Sequence, residues 1–297
     1  MLKVGFLGPE GTFCEEASSL YLNKIGKKLE LIPYSTIHDL MHAVDQKKLD
    51  EGIVPLENSV EGTVNIVLDI LISEVNLKIY QEIILPVRHF LMSPRGTTLK
   101  KITDVISHPQ AIDQCKKFLR TKLRKAEIHL AYSTADAAQE VALGLEGEAI
   151  PRIVGYHYIA STKNRVFAAI GTRAAAKMYG LKIIASNVHD YIDNATRFIA
   201  LSKKDHAPTS DDKTSIVFSA LKDRPGALHQ ILEEFAKRKI NLTKIESRPS
   251  KRALGDYFFY IDLQGHRKDK IVAEALAAVQ RQTAFMKILG SYPRAKH

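Results

Sequence analysis

Two patterns in the sequence predict an α/β protein with a second, smaller domain. Over residues 1 to about 200, short apolar runs alternate with amphipathic helical patterns, which argues for a sheet of mainly parallel strands. From residue 214 onward the order contracts to strand–helix–strand–strand–helix–strand, that of a ferredoxin-like βαββαβ sandwich. Between the two lies SKKDHAPTSDDK, residues 202–213, polar and with no apolar residue beyond Ala207; this reads as a linker.

The first-part strands are KVGFLG (3–8), LELIPY (29–34), EGIVPL (51–56), VNLKIYQEIIL (75–85), RHFLMS (88–93), DVISH (104–108), EIHLAY (127–132) and RIVG (152–155). Helices are expected among them, for example over 36–48 and 109–124. In the second part the strands are SIVFSAL (215–221), INLTKIESR (240–248), DYFFYIDL (256–263) and AFMKILG (284–290). Helices are expected there over 227–238 and 268–281. No internal repeat is evident in the first part.

Composition narrows the function classes. Hydrophobic residues make up 45% and charged residues 26%, the mix of a soluble globular chain. No apolar run reaches membrane-spanning length. Met1-Leu2-Lys3 leads straight into a strand without an apolar signal region, so a cytoplasmic location and no membrane partner are expected. Cys14 and Cys115 make neither a disulfide framework nor a metal spacing, and no metal or cofactor is expected. The net charge of +10 draws in small anions as readily as nucleic acid. The densest basic stretch, KKFLRTKLRK (116–125), carries Phe118, Leu119 and Leu123 near helical spacing. It reads as a solvated helix face, and no nucleic-acid motif accompanies it.

The glycines of GFLGPEGTF do not make a nucleotide cradle. Gly5, Gly8 and Gly11 are three apart, whereas a dinucleotide fingerprint needs G-x-G-x-x-G, and Pro9 lacks an N–H. Helix-start pairs recur instead: Thr12 with Glu15, Thr36 with Asp39, Ser107 with Gln110, and Ser133 with Asp136. Each follows a predicted strand, so these helix N-termini gather at the carboxyl ends of the strands. There free N–H groups and helix dipoles favour negative charge. Any one pair can be a cap alone; together, in a basic chain, they predict a cleft for a small anion, carboxylate or phosphate.

Two further stretches bring polar groups to strand ends. GIVPLENSVEGTV (52–64) sets Glu57, Asn58 and Ser59 at one tip, and DNATRFIAL (193–201) sets Asn194, Thr196 and Arg197 in or beside an apolar strand. Arg197 in that setting needs a carboxylate partner, either a bound ligand or an internal salt bridge. G-x-S-x-G, H-E-x-x-H and clustered Cys/His sets are absent. Of the eleven histidines, His89 and His108 stand near strand ends.

GPEGTF (8–13), PLENSVEGTV (55–64), HPQAIDQC (108–115), STADAA (133–138) and NATRF (194–198) occur in the order seen in prephenate dehydratases. DRPGAL (223–228), INLTKIESRP (240–249) and GDYFFYIDLQGH (255–266) resemble the ACT regulatory domain of that family. The resemblance covers about residues 3 to 290. It implies a catalytic domain over 1–201, bilobal like type II periplasmic binding proteins, with crossings near 75–85 and 175–195. A linker over 202–213 and an ACT domain over 214–297 follow. It implies conversion of prephenate to phenylpyruvate without a cofactor, feedback by L-phenylalanine, and a homodimer or homotetramer. No chorismate mutase segment precedes residue 3, so the monofunctional form is expected.

Carried onto this chain, the resemblance makes Thr196, Arg197 and Phe198 catalytic, with Glu57 beside them. Gly11, Thr12, Asn58, Ser59, His108, Gln110, Ser133, Thr134 and Asn194 become substrate-binding residues. Arg224, Pro225, Gly226, Ala227 and Leu228, with Asn241, Leu242, Glu246, Ser247, Arg248 and Pro249, become the phenylalanine site. The competing functions are arogenate dehydration and a non-catalytic small-anion sensor.

The chemistry asks for a hold on a dianion and help for a departing hydroxide. Thr196 is expected to donate to the leaving oxygen, with Glu57 as the proton source if the cleft raises its pKa. Arg197 and the helix N-termini are expected to hold the pyruvyl carboxylate, leaving the ring carboxylate in a less polar place. Cys14 stands where the family pattern has Ser or Thr. A helix start lowers a thiol pKa and burial raises it, so the two readings of Cys14 oppose each other.

Overall fold

The structure, a computed structural model, describes residues 2–25, 29–143, 152–154, 157–159, 164–222, 224–251 and 255–295. The chain builds most of one lobe, crosses to a second, returns to complete the first, and ends in a third domain. The first-lobe sheet runs Leu29–Tyr34, Leu2–Leu7, Glu51–Asn58, Ala195–Ser202, Lys78–Pro86. The second runs Glu127–Leu130, Asp104–Ser107, Phe167–Gly171, Phe90–Ser93, Lys182–Ala185. Both follow one rule, with the strand that arrives after a crossing inserted next to last.

The expectation of mainly parallel strands holds in direction, since four of the five strands in each order run the same way and the arriving strand is the exception. Each arriving strand pairs antiparallel with both neighbours, while the remaining pairs of the five-strand orders are parallel. The outward crossing falls at residues 87–89, beyond the expected 75–85, and the return at 186–194. The two connections leave a cleft between two sheets whose parallel strands point their carboxyl ends into it.

Packing explains the local sequence. Helix Ile37–Asp45 buries Leu40, Met41, Ala43 and Val44 against the first sheet. A Cβ on Gly5 would stand 2.4 Å from both Leu40 Cδ1 and Leu49 Cδ1, so that glycine serves helix–sheet packing, not an anion. The expected helix over 109–124 is two short ones, Pro109–Asp113 and Lys116–Lys122, broken at the fully buried Cys115. In the second of them Leu119 is buried while Lys116, Lys117, Arg120 and Lys122 stand exposed. The RIVG run forms a small hairpin, Arg152–Val154 with His157–Ile159; its Gly155 lies outside the described residues.

The last domain is β–α–β–β–α–β, with sheet order Leu242–Pro249, Tyr257–Gln264, Asp212–Ala220, Thr283–Pro293, all antiparallel. Its first strand begins at Asp212, inside the expected linker. One sheet face packs on helices Ala227–Ala236 and Lys270–Gln280. The other shares a hydrophobic core with the first lobe, in which Val217, Tyr260, Leu289 and Tyr292 join Leu71, Ile79 and Ile199. Lys287 Nζ donates to the Leu71 and Val75 carbonyls at 2.7 and 2.8 Å. The domain is therefore seated directly behind the sheet that faces the cleft.

Candidate functional site

The helix starts at the cleft are built by side-chain caps. Asp39 N–H donates to Thr36 Oγ1 at 3.0 Å and Asp136 N–H to Ser133 Oγ at 2.9 Å. At the first turn Gly11 N–H donates to Glu15 Oε2 at 2.6 Å, closing the loop onto the helix Phe13–Ile25. Ser107 is not the cap it resembles: its hydroxyl donates to the Ile170 carbonyl at 2.6 Å, and His108 caps helix Pro109–Asp113 instead. Gln110 N–H donates to His108 Nδ1 at 3.2 Å, so Nε2 of the neutral ring carries the proton. Burial lowers the His108 pKa, which keeps the ring neutral. A fifth cap, Thr172, accepts from Ala175 N–H and donates to the Gly11 carbonyl at 2.6 Å. It ties the two lobes together across the cleft.

Between the lobes lies a cavity of about 90 Å³. The first lobe supplies Phe13, Asn58 and Thr196; the outward crossing, Val87 and His89; the second lobe, His108, Gln110, Ala111, Gln114 and Thr134. Of the expected substrate residues, Asn58, His108, Gln110 and Thr134 line it. Asn194 and Ser59 stand directly behind it through hydrogen bonds, Thr12 turns its hydroxyl to the Pro9 carbonyl at 3.0 Å, and Gly11 forms the lobe contact. Ser133 borders a separate, wider groove with Gly8, Pro9 and Tyr132.

A chain of hydrogen bonds, with Asn58 donating toward both ends, links Glu61 to Thr196. The Glu61 carboxylate can only accept, so Gln114 presents Nε2 to it at 3.3 Å and turns Oε1 inward. That oxygen accepts from Asn194 Nδ2 at 2.9 Å. Asn194 Oδ1 then accepts from Asn58 Nδ2 at 2.9 Å and from Ser59 Oγ at 3.2 Å. Asn58 Oδ1 is already held by the Val60 and Glu61 N–H groups, both at 3.0 Å, and its Nδ2 donates to Thr196 Oγ1 at 2.9 Å. Thr196 oxygen is therefore an acceptor within the protein, and among the described residues nothing accepts its proton. A hydroxyl hydrogen is left free at the cavity wall.

His89 belongs to the same chain. Its Nε2 lies 3.0 Å from Gln114 Oε1; an amide oxygen accepts, so Nε2 carries the hydrogen. Burial pushes the ring pKa down to about 4, so the imidazole is neutral. Its Nδ1 is buried without a hydrogen-bond partner.

Strand alternation separates the other expected catalytic residues from the cleft. Thr196 pairs in register with Asn58, and Arg197 with Glu57. Successive side chains point to opposite faces, so Thr196 and Asn58 face the cleft while Arg197 and Glu57 face the last domain. Glu57 pairs there with Lys244 at 2.7 Å, which removes it as a proton source inside the cavity. Arg197 Nε lies 2.8 Å from Glu82, Nη1 2.5 Å from Asp262 and Nη2 2.7 Å from Tyr292 Oη. Its guanidinium is spent on internal partners, so the expectation that it holds a substrate carboxylate is corrected. Burial alone would lower the Arg197 pKa, but Tyr292, Asp262, Tyr260 and Glu82 hold it well above the ordinary value. Phe198 is 1% exposed and packs with Val4, Ala17, Tyr21 and Ile53; it is core and has no part in the cavity. Burial also wins over the helix start at Cys14, whose thiol is pushed up to about 12.

His89, Gln114, Glu61 and Thr172 were absent from the expected site. Glu61 and Gln114 sit inside the quoted motifs PLENSVEGTV and HPQAIDQC, and His89 at a strand end, so position in the motifs was the available signal. Thr172 opens helix Arg173–Met178 directly after the strand Phe167–Gly171, the same strand-to-cap grammar as the four pairs that were read.

In the last domain, Gly226 adopts φ +84° at the start of helix Ala227–Ala236. A groove of about 390 Å³ there is lined by Arg224, Ala227, Gln230 and Arg281. The expected partner segment is engaged elsewhere. Glu246 accepts from Thr63 Oγ1, and Arg248 donates to Asn65 Oδ1 and to Asp69 at 2.8 Å. Those two side chains fasten the domain to the first lobe, while Asn241 and Ser247 are exposed.

Comparison with known proteins supports the same division. The family model for prephenate dehydratase matches residues 4–206, and that for the ACT domain residues 214–281. The bifunctional chorismate mutase/prephenate dehydratase of Aquifex aeolicus is 40% identical over 99% of this chain and 74% of its own. The prephenate dehydratase of Methanocaldococcus jannaschii is 39% identical over 96% of both. The crystal structure of prephenate dehydratase from Arthrobacter aurescens, in complex with L-Phe, superposes with a TM-score of 0.85 at 35% identity over 99% of this chain and 90% of that one. With both matched regions falling on the domains described above, the chain belongs to the prephenate dehydratase family and carries a C-terminal ACT domain.

Proposed function

We propose that this chain converts prephenate to phenylpyruvate in the cavity between its lobes, with Thr196 as the donor to the departing hydroxide. The carboxylate on the ring leaves as carbon dioxide; its bonding electrons aromatise the ring and the C–O pair departs with hydroxide. The observation that carries this reading is the Thr196 hydroxyl, whose oxygen is occupied by Asn58 and whose proton is unspent. Fixed donors aimed at developing charge act without reorganisation and are each worth about 10²–10³ in rate. Among the described residues no carboxylate lines this cavity, so assistance comes as a hydrogen bond from a neutral group.

The remaining groups suit the substrate's two carboxylates. Phe13, Val87 and Ala111 give the cavity an apolar wall, a setting that does not over-stabilise a carboxylate about to leave. The start of the helix at Thr134 offers backbone N–H groups to the other. An adjoining cavity of about 320 Å³ shares Phe13 and carries Arg88 and Arg173. Neither guanidinium has an ion pair among the described residues, and they take the role first given to Arg197.

L-Phenylalanine acts as the effector at the groove by Gly226, where Arg224 and Arg281 supply charge for its carboxylate, and a second copy of the chain completes a homo-oligomer. The exposed Ile245 on the edge strand Leu242–Pro249 supports such an assembly. The test is purified protein with prephenate, following phenylpyruvate, with arogenate in parallel and Thr196→Ala as the control. Turnover of prephenate that falls by about 10²–10³ in the variant supports the reading. No turnover by wild type, or an equally active variant, overturns it.

A further inference from the structure

Helix Ile37–Asp45 turns its apolar residues inward and leaves His38 and His42 on its outer side, four residues apart. Residues at that spacing lie on one helical face, and the two rings are 4.2 Å apart between centroids. Helix Asn65–Ser73 ends opposite them. Its C-cap residue, Glu74, places Oε2 at 3.2 Å from His38 Nε2 and 3.1 Å from His42 Nε2. None of the three takes part in the cleft.

Three features fit a metal at this cluster. First, the three donor atoms lie within 4.8 Å of one another. Second, a tetrahedral zinc bound at about 2.0–2.1 Å needs donors about 3.3 Å apart, close to both observed N···O separations. Third, Asp39 Oδ1 stands 3.7 Å from His38 Nδ1, on the side where a metal-bound imidazole carries its hydrogen. A negative charge there favours the hydrogen on Nδ1 and leaves Nε2 free for a metal. Asp39 is itself steadied by Thr36 Oγ1, which donates to Oδ2 at 2.7 Å.

We propose that His38, His42 and Glu74 form a site for a zinc ion on the outer surface of the first lobe, with water in the fourth position. The ion cross-links helix Ile37–Asp45 to the end of helix Asn65–Ser73. The carbonyls on either side of that end, Leu71 and Val75, are the ones Lys287 of the last domain grips. Zinc thus stiffens the surface on which the ACT domain sits, without entering the reaction.

The test titrates zinc into metal-stripped full-length protein, in competition with a chromophoric chelator, and follows thermal unfolding in parallel. One equivalent per chain is expected to bind, and zinc at a hundredfold excess over Kd should raise the melting temperature by about 5 °C. His42→Ala and Glu74→Gln, both at accessible positions, should each weaken zinc binding by about tenfold or more. Turnover without zinc should be unchanged in both. Absence of one-to-one binding by wild type, or undiminished affinity in both variants, overturns the proposal.

Discussion

Thr196 and Arg197 are neighbours in one strand, yet they sit in opposite chemical settings. On the cleft face, hydrogen bonds link five polar side chains from Glu61 to Thr196, Asn58 donates toward both ends, and the Thr196 proton is left over. On the interface face, Arg197 donates through Nη1 to Asp262 and through Nη2 to Tyr292, and its Nε stands 2.8 Å from Glu82 as an ion pair without hydrogen-bond geometry. Asp262 also accepts from Ser215 Oγ at 2.5 Å and Tyr260 Oη at 2.6 Å. The difference teaches how a reactive group is recognised: by the capacity that its surroundings leave unused, not by its charge.

Breaking the interface face should give the largest loss of stability. Asp262→Ala leaves the Arg197 charge buried without its shortest ion pair, a defect worth about 3–5 kcal/mol. Urea denaturation followed by circular dichroism measures it. A smaller effect follows from the neutral His89. Its pKa is depressed from 6.5 to about 4 in the folded chain, so between those values the unfolded chain binds the extra proton. Stability from this group is therefore full above pH 6.5 and falls with acid by about 1.4 kcal/mol per pH unit until pH 4. Denaturation of wild type and His89→Gln across that window should show the slope reduced in the variant.

Cutting the hydrogen-bond chain upstream should be milder for stability and visible in rate. Asn194→Ala removes the group that orients Asn58, and kcat should fall about tenfold with KM little changed, since orientation is lost but the donor remains. Glu61→Gln should do least. It lets Gln114 turn either way, and a drop of a few-fold in kcat, read in the same steady-state assay, is expected.

How far the sequence carried this result can be read from the same two residues. The alternation of apolar and turn signals located most strands of the first lobe and the last domain but missed Phe167–Gly171 and Lys182–Ala185 of the second lobe, and the recurring caps pointed to the cleft. Asn58, Asn194 and Thr196 were legible because they stand at strand ends in polar stretches. The facing of Arg197 was not, because its partner Asp262 lies 65 residues away in another domain and local sequence carries no signal of that pairing. Successive strand positions face opposite sides, so Thr196 and Arg197 could not both reach one cleft; the expectation that placed both there, with Glu57, left that signal unused. The two lobes' mixed pairing was likewise hidden, since it arises from where the chain crosses and not from any strand's composition.

The central claim is that Thr196 acts through an unspent hydroxyl proton. Steady-state kinetics of Thr196→Ser and Thr196→Val with prephenate test it most directly, because serine keeps the donor and valine keeps the shape. Serine should stay within about tenfold of wild type and valine fall by about 10²–10³ in kcat. A valine variant as active as the serine variant would contradict it.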